Sequence, residues 1–123
     1  MKTTQRLLAR SFLALPLFAF ISPLMADALV EGHFAILAPV NGADLASGSG
    51  NTLRYIVALT PDGDHLHVYV DDQKPIIDED VTNCPCSIEL PTLSPGMHTV
   101  AVKEATKDHH LTGLQGKVSF KVE

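Results

Sequence analysis

Six histidines occur in the chain, and two of them, His65 and His67, stand two apart in the run Asp64-His65-Leu66-His67-Val68-Tyr69-Val70-Asp71. In an extended strand, residues two apart project from the same face. Both imidazoles are then within reach of one ion. Imidazole suits Cu(II), Zn(II) and Ni(II), and a third nitrogen would complete a usable site. His109 and His110 are adjacent in a polar stretch and project in different directions, so at most one can share an ion with the pair. His33 is a further candidate ligand, and Asp64 or Asp108 could act as direct ligands or as partners that orient the rings. Copper or zinc is the cofactor this set would take. A competing reading has equal physical sense: His65 and His67 lie opposite Leu66, Val68 and Val70, where they would be ordinary solvated residues on an outer strand face. His98, in Pro95-Gly96-Met97-His98, is expected to be structural, bonding a backbone carbonyl.

Cys84-Pro85-Cys86 holds both cysteines of the chain. In extended backbone their Cα atoms would be roughly 6.5 Å apart, at the far edge of disulfide geometry, so a bond between them requires the chain to bend. A local disulfide, a thiolate pair for a soft metal, and reactive or intermolecular thiols all remain open. The carboxylate run Asp78-Glu79-Asp80 lacks the glycine and ligand spacing of a calcium loop and reads as a solvated segment. There is no Gly-x-Ser-x-Gly elbow, phosphate loop, dinucleotide fingerprint or His-Glu-x-x-His helix. The chain is therefore not expected to be an enzyme.

The elements that must position these residues read as short strands. Alternation and turn chemistry place them at about 33–38, 52–59, 65–71, 86–90, 97–104 and 117–122. Turns are expected at Pro39-Val40-Asn41-Gly42, Pro61-Asp62-Gly63-Asp64, Leu93-Ser94-Pro95-Gly96 and Thr112-Gly113. Leu53, Tyr55, Val57 and Leu59 form one face, Leu66, Val68 and Val70 a second, and Val118, Phe120 and Val122 a third; with Val100 and Val102 these should meet in one core. The pattern predicts an all-β domain, a small immunoglobulin-like β-sandwich of about seven short antiparallel strands. In that order the third strand begins where the sixth ends. His65 and His67 should therefore lie near His109 and His110, with His33 at the same end and His98 at the other.

The N-terminal segment sets the compartment. Lys2, Arg6 and Arg10 precede an apolar stretch from Phe12 to Ile21, which is the layout of a cleavable signal peptide over 1–26. The stretch is too short for a spanning helix, which needs about 20 residues. The expected product is periplasmic or secreted, with the sandwich over 27–123. That domain carries six Lys and Arg against fourteen Asp and Glu, a net charge of −8 compared with −5 for the whole chain. An acidic surface disfavours nucleic acid and anionic lipid as partners. Metal ions and other proteins remain.

The segment Leu93-Ser94-Pro95-Gly96-Met97-His98-Thr99-Val100-Ala101-Val102 and the closing Lys117-Val118-Ser119-Phe120-Lys121-Val122 resemble the end of bacterial exported immunoglobulin-like or fibronectin-like domains. The His65-x-His67 strand is similar to that of uncharacterised exported domains with the same His-x-His pattern. This resemblance, from about Phe34 onward, implies the sandwich and says little about function. Two readings follow: a metal-binding protein using the histidine end, or a protein-interaction or structural module with no metal. Export into an oxidising compartment favours disulfide over thiol. Protein isolated from its native compartment should accordingly lack free thiols, and two alkylated cysteines per chain in mass spectrometry would contradict this.

Overall fold

Apolar side chains at every second position draw this chain into strands, because alternate residues of extended backbone share a face. The computed structural model describes residues 32–123, and the leader expected over 1–26 lies outside the described residues. The strands are β1 (His33–Ala38), β2 (Asp44–Leu45), β3 (Thr52–Ala58), β4 (His65–Val70), β5 (Ile76–Asp78), β6 (Cys86–Glu89), β7 (Gly96–Ala105) and β8 (Leu111–Val122). They form two sheets, one ordered β1-β3-β6 and the other β2-β8-β7-β4-β5. All pairings are antiparallel except that of β2 with β8.

The inner faces meet as expected. Leu53, Tyr55, Leu66, Val68, Val70, Val100, Val102, Val118, Phe120 and Val122 are buried in one cluster, with Val57 and Leu59 packed at its margin. Burying each such side chain contributes roughly 1.5–3 kcal/mol. A polar tie crosses between the sheets: the fully buried Tyr55 of β3 donates its hydroxyl to the Asp78 carboxylate at the end of β5. Burial first, and then the Asp78 and Asp80 carboxylates, raise the phenol's pKa and keep it un-ionised.

Three expectations need correction. The closing strand begins at Leu111 and not at 117, so Thr112-Gly113 lies within β8 and the turn falls earlier, at Thr106–His110. The continuing hairpin pairs Ala105 with Leu111, and Gly113, at φ 103°, is accommodated inside the strand. β2 and β5 were not anticipated, because two or three residues cannot display a period. The described residues therefore form eight strands, and one pairing is parallel.

At the end of the sandwich remote from His65, the turn after β4 is held by His98. Asp71, in the left-handed region at φ 52°, accepts from His98 Nδ1–H at 2.8 Å and from the Thr99 amide at 3.0 Å. The Ser94 carbonyl accepts from Nε2–H at 2.6 Å. Both partners are acceptors, so the ring must carry both protons and a positive charge to make both bonds. The Asp71 bond, then the Ser94 bond, raise the His98 pKa above its ordinary value. A raised histidine pKa stabilises the fold fully below the unfolded value of about 6.5 and ceases to do so as pH rises through the folded value. Thermal melts should therefore show wild type above His98→Ala at pH about 6, with the gap closing toward pH about 9. A gap that does not change with pH would refute the charged form.

Candidate metal centre

One strand and one loop deliver three imidazoles to one point. β4 starts at His65, immediately after the β3–β4 loop, and its alternation sends Leu66, Val68 and Val70 into the core and His65, His67 and Tyr69 to the opposite face. Opposite them, β7 and β8 are joined by a turn in which the Thr106 carbonyl accepts the His109 amide at 2.9 Å and the Thr106 amide bonds the His110 carbonyl at 2.8 Å. His109 sits in the left-handed region at φ 65°. Its ring reaches back over β4.

The result is a triangle of ring nitrogens. His65 Nε2 lies 3.0 Å from His67 Nε2 and 3.1 Å from His109 Nδ1, and His67 Nε2 lies 3.2 Å from His109 Nδ1. Four tetrahedral ligands at about 2.0–2.1 Å from zinc are themselves about 3.3 Å apart, so the triangle is close to the size such an ion would require. His65 and His67 are 2% and 7% exposed, so they are not the solvated outer-face residues of the competing reading, whereas His109 is exposed. The sheet face opposite the core is covered here by the β7–β8 loop, and that is why a polar strand face is buried.

The outer nitrogens are also engaged. The Asp64 carboxylate lies 2.9 Å from His65 Nδ1 and can accept its proton, an arrangement that directs Nε2 inward as the ligating nitrogen. His67 Nδ1 lies 3.3 Å from the Tyr69 hydroxyl. Burial, and then the neighbouring His65 and His109 rings, lower the His67 pKa below the usual imidazole value. The neutral, ligating form is thereby favoured. His33 and His110 are exposed and are not among the three converging rings, and Asp108 is likewise outside the group. Cys84 and Cys86 are joined as a disulfide, with Cα atoms 4.3 Å apart where the chain bends, so the described residues contain no free thiol pair.

One residue that organises the site was overlooked in the sequence. Glu104, on the core side of β7, is completely buried. Its carboxylate accepts the Thr60 amide at 2.9 Å, the Thr60 hydroxyl, and the Thr112 hydroxyl at 2.6 Å. Gly63 passes so close that a Cβ there would lie 2.4 Å from the carboxyl group. The signal was available: Val100, Val102 and Glu104 continue one inward alternation.

The two sheets, in this order and with this connectivity, have a fibronectin-like, immunoglobulin-like β-sandwich fold. Among solved structures, the chain is similar to the fibronectin(III)-like modules of Clostridium thermocellum CbhA, with a TM-score of 0.56 and 15% identity over 73% of this chain and 94% of that one. Two structures of the extracellular domain of BT4673 from B. thetaiotaomicron align with TM-scores of 0.48, at 13% and 12% identity, over 68% of this chain and 12% of theirs. No protein-family model and no curated protein matches the chain. At such identities the likeness is one of fold alone.

Glu104 gives the site its test of construction. Glu104→Ala removes the shared acceptor of three half-buried donors, which water can partly reach, and should lower the unfolding free energy by about 1–3 kcal/mol. Glu104→Gln should cost less, since one amide oxygen still accepts. Urea unfolding of the three proteins measures both, and equal stability of all three would refute the assignment.

Proposed function

We propose that this chain is an exported, non-enzymatic protein that binds a divalent transition metal, copper or zinc, through His65, His67 and His109. The observation that carries the reading is the triangle of ring nitrogens 3.0–3.2 Å apart. Three imidazole nitrogens that converge at that distance can share one cation between them. Two features support it further: the Asp64 carboxylate behind His65, an arrangement that fixes the ring and raises its basicity, and the lowered His67 pKa, which keeps a ligand unprotonated. His33 and His110, although candidates by sequence, are not assigned to the ion. Export rests on the N-terminal residues; among the described residues no helix is long and apolar enough to cross a membrane.

A second reading has its own observation. The outer edge of β8 from Leu111 to Val118 has no partner strand among the described residues, since β2 pairs only at Lys121 and Val122. A free edge can accept a strand from another protein. In that reading the domain is an interaction or structural module, which its fibronectin-like fold also fits.

Titration calorimetry on protein without a histidine tag discriminates the two. The metal reading expects one ion per chain, affinity that falls as pH drops through about 6.5 because protonated imidazoles cease to be ligands, and a melting temperature that rises with metal concentration. His65→Ala combined with His67→Ala should abolish both effects, and Asp64→Asn should weaken binding about 10–100-fold. His98→Ala, at the other end, should leave binding in place. Equal affinity in wild type and the double variant would remove the metal and leave the interaction module.

A further inference from the structure

The three rings do not by themselves satisfy an ion that takes four ligands, and the nearby groups that could supply the fourth are committed elsewhere. Among the described residues, His65, His67 and His109 are the grouped donors at this point. Asp64 is bound to His65 Nδ1 and Tyr69 to His67 Nδ1, both on the outer nitrogens of the rings and so away from the point where the inner nitrogens meet. His33 and His110 stand outside the group.

Exposure indicates where the remaining position points. His65 and His67 form the buried floor, on a strand whose other face is the hydrophobic core, and the exposed His109 closes over them from the loop. His109 is the exposed member of the three, so the group meets solvent on its side. Three imidazole ligands bring no negative charge to offset the ion's double positive charge, and the Asp64 carboxylate behind His65 is itself shared with Nδ1–H. An incoming ligand with negative charge is favoured over a neutral one.

We propose that an ion held by His65, His67 and His109 keeps one coordination position for an exchangeable water, and that a small monodentate anion displaces that water. This inference rests on the metal reading above and deepens it. Closed structural sites use four protein ligands, whereas three protein ligands with an outward fourth position make an ion accessible to ligands from solution. The site then binds a soluble ligand through the metal, in addition to holding the metal itself. No covalent or redox step is involved; one lone-pair donor replaces another.

Cobalt(II), whose visible bands report its coordination, is the probe ion, and azide is the probe anion. The protein is loaded with one cobalt per chain, verified by calorimetry and metal analysis, and titrated with azide at constant ionic strength. The expected result is a saturable shift of the visible bands at one azide per ion, with cobalt retained on dialysis and the chain monomeric. Unchanged bands while cobalt stays bound would overturn the open position and leave the metal reading intact. Loss of cobalt to azide, or a dimer with one ion per two chains, would also overturn it, the latter by assigning the fourth ligand to a second copy. Absence of cobalt, copper and zinc binding alike would remove both inferences together.

Discussion

A carboxyl group taken wholly out of water is costly unless its oxygens are met by hydrogen-bond donors. Glu104 is in that position, and the arrangement of the histidine end follows from how it is satisfied. The Thr60 amide and hydroxyl come from the β3–β4 loop, and the Thr112 hydroxyl comes from the start of β8. One carboxylate thus ties the chain just before His65 to the chain just after His109. Gly63 lets the loop backbone pass over the carboxyl group where any side chain would collide with it. The two segments that carry the site are fixed to each other through the core side of β7, and the ring nitrogens meet on its other side.

The two ends of the sandwich show how environment, not residue type, sets the state of a histidine. His98 faces a carboxylate and a carbonyl, both acceptors, so its pKa rises and its cationic form, which pins two turns, is favoured. At that end burial pushes the Asp71 carboxyl pKa up, but the bonds from His98 and Thr99 outweigh it and hold it below the ordinary value. His67 is buried and faces two other imidazoles, so its pKa falls and its lone pair is kept. The first arrangement stabilises a fold; the second is suited to a ligand.

The remaining covalent and polar ties have unequal weight. The Cys84–Cys86 disulfide closes a loop with a sequence separation of 2. In the chain-entropy account it therefore restricts the unfolded chain far less than the roughly 3 kcal/mol attributed to a 15-residue loop. Stability must come mainly from the single core, into which Tyr55 and Phe120 are fully buried, and from the Tyr55–Asp78 bond that joins the two sheets.

By itself the sequence determined the all-β sandwich, the main inward faces, and the placing of His65 and His67 on one outward strand face, because a period of two is written locally in the residues. It also carried, unread, the inward position of Glu104 in the row of Val100 and Val102. It could not determine that this outward face would be buried, since the covering loop comes from residues 44 positions further along. Nor could spacing choose His109 over His110 and His33. That choice was made by a turn with His109 in the left-handed region and by the register that sets Ala105 against both His65 and Leu111. Those are facts of tertiary pairing: the strands involved are distant in sequence, and local residue pattern constrains each strand's faces but not which loop will close over them.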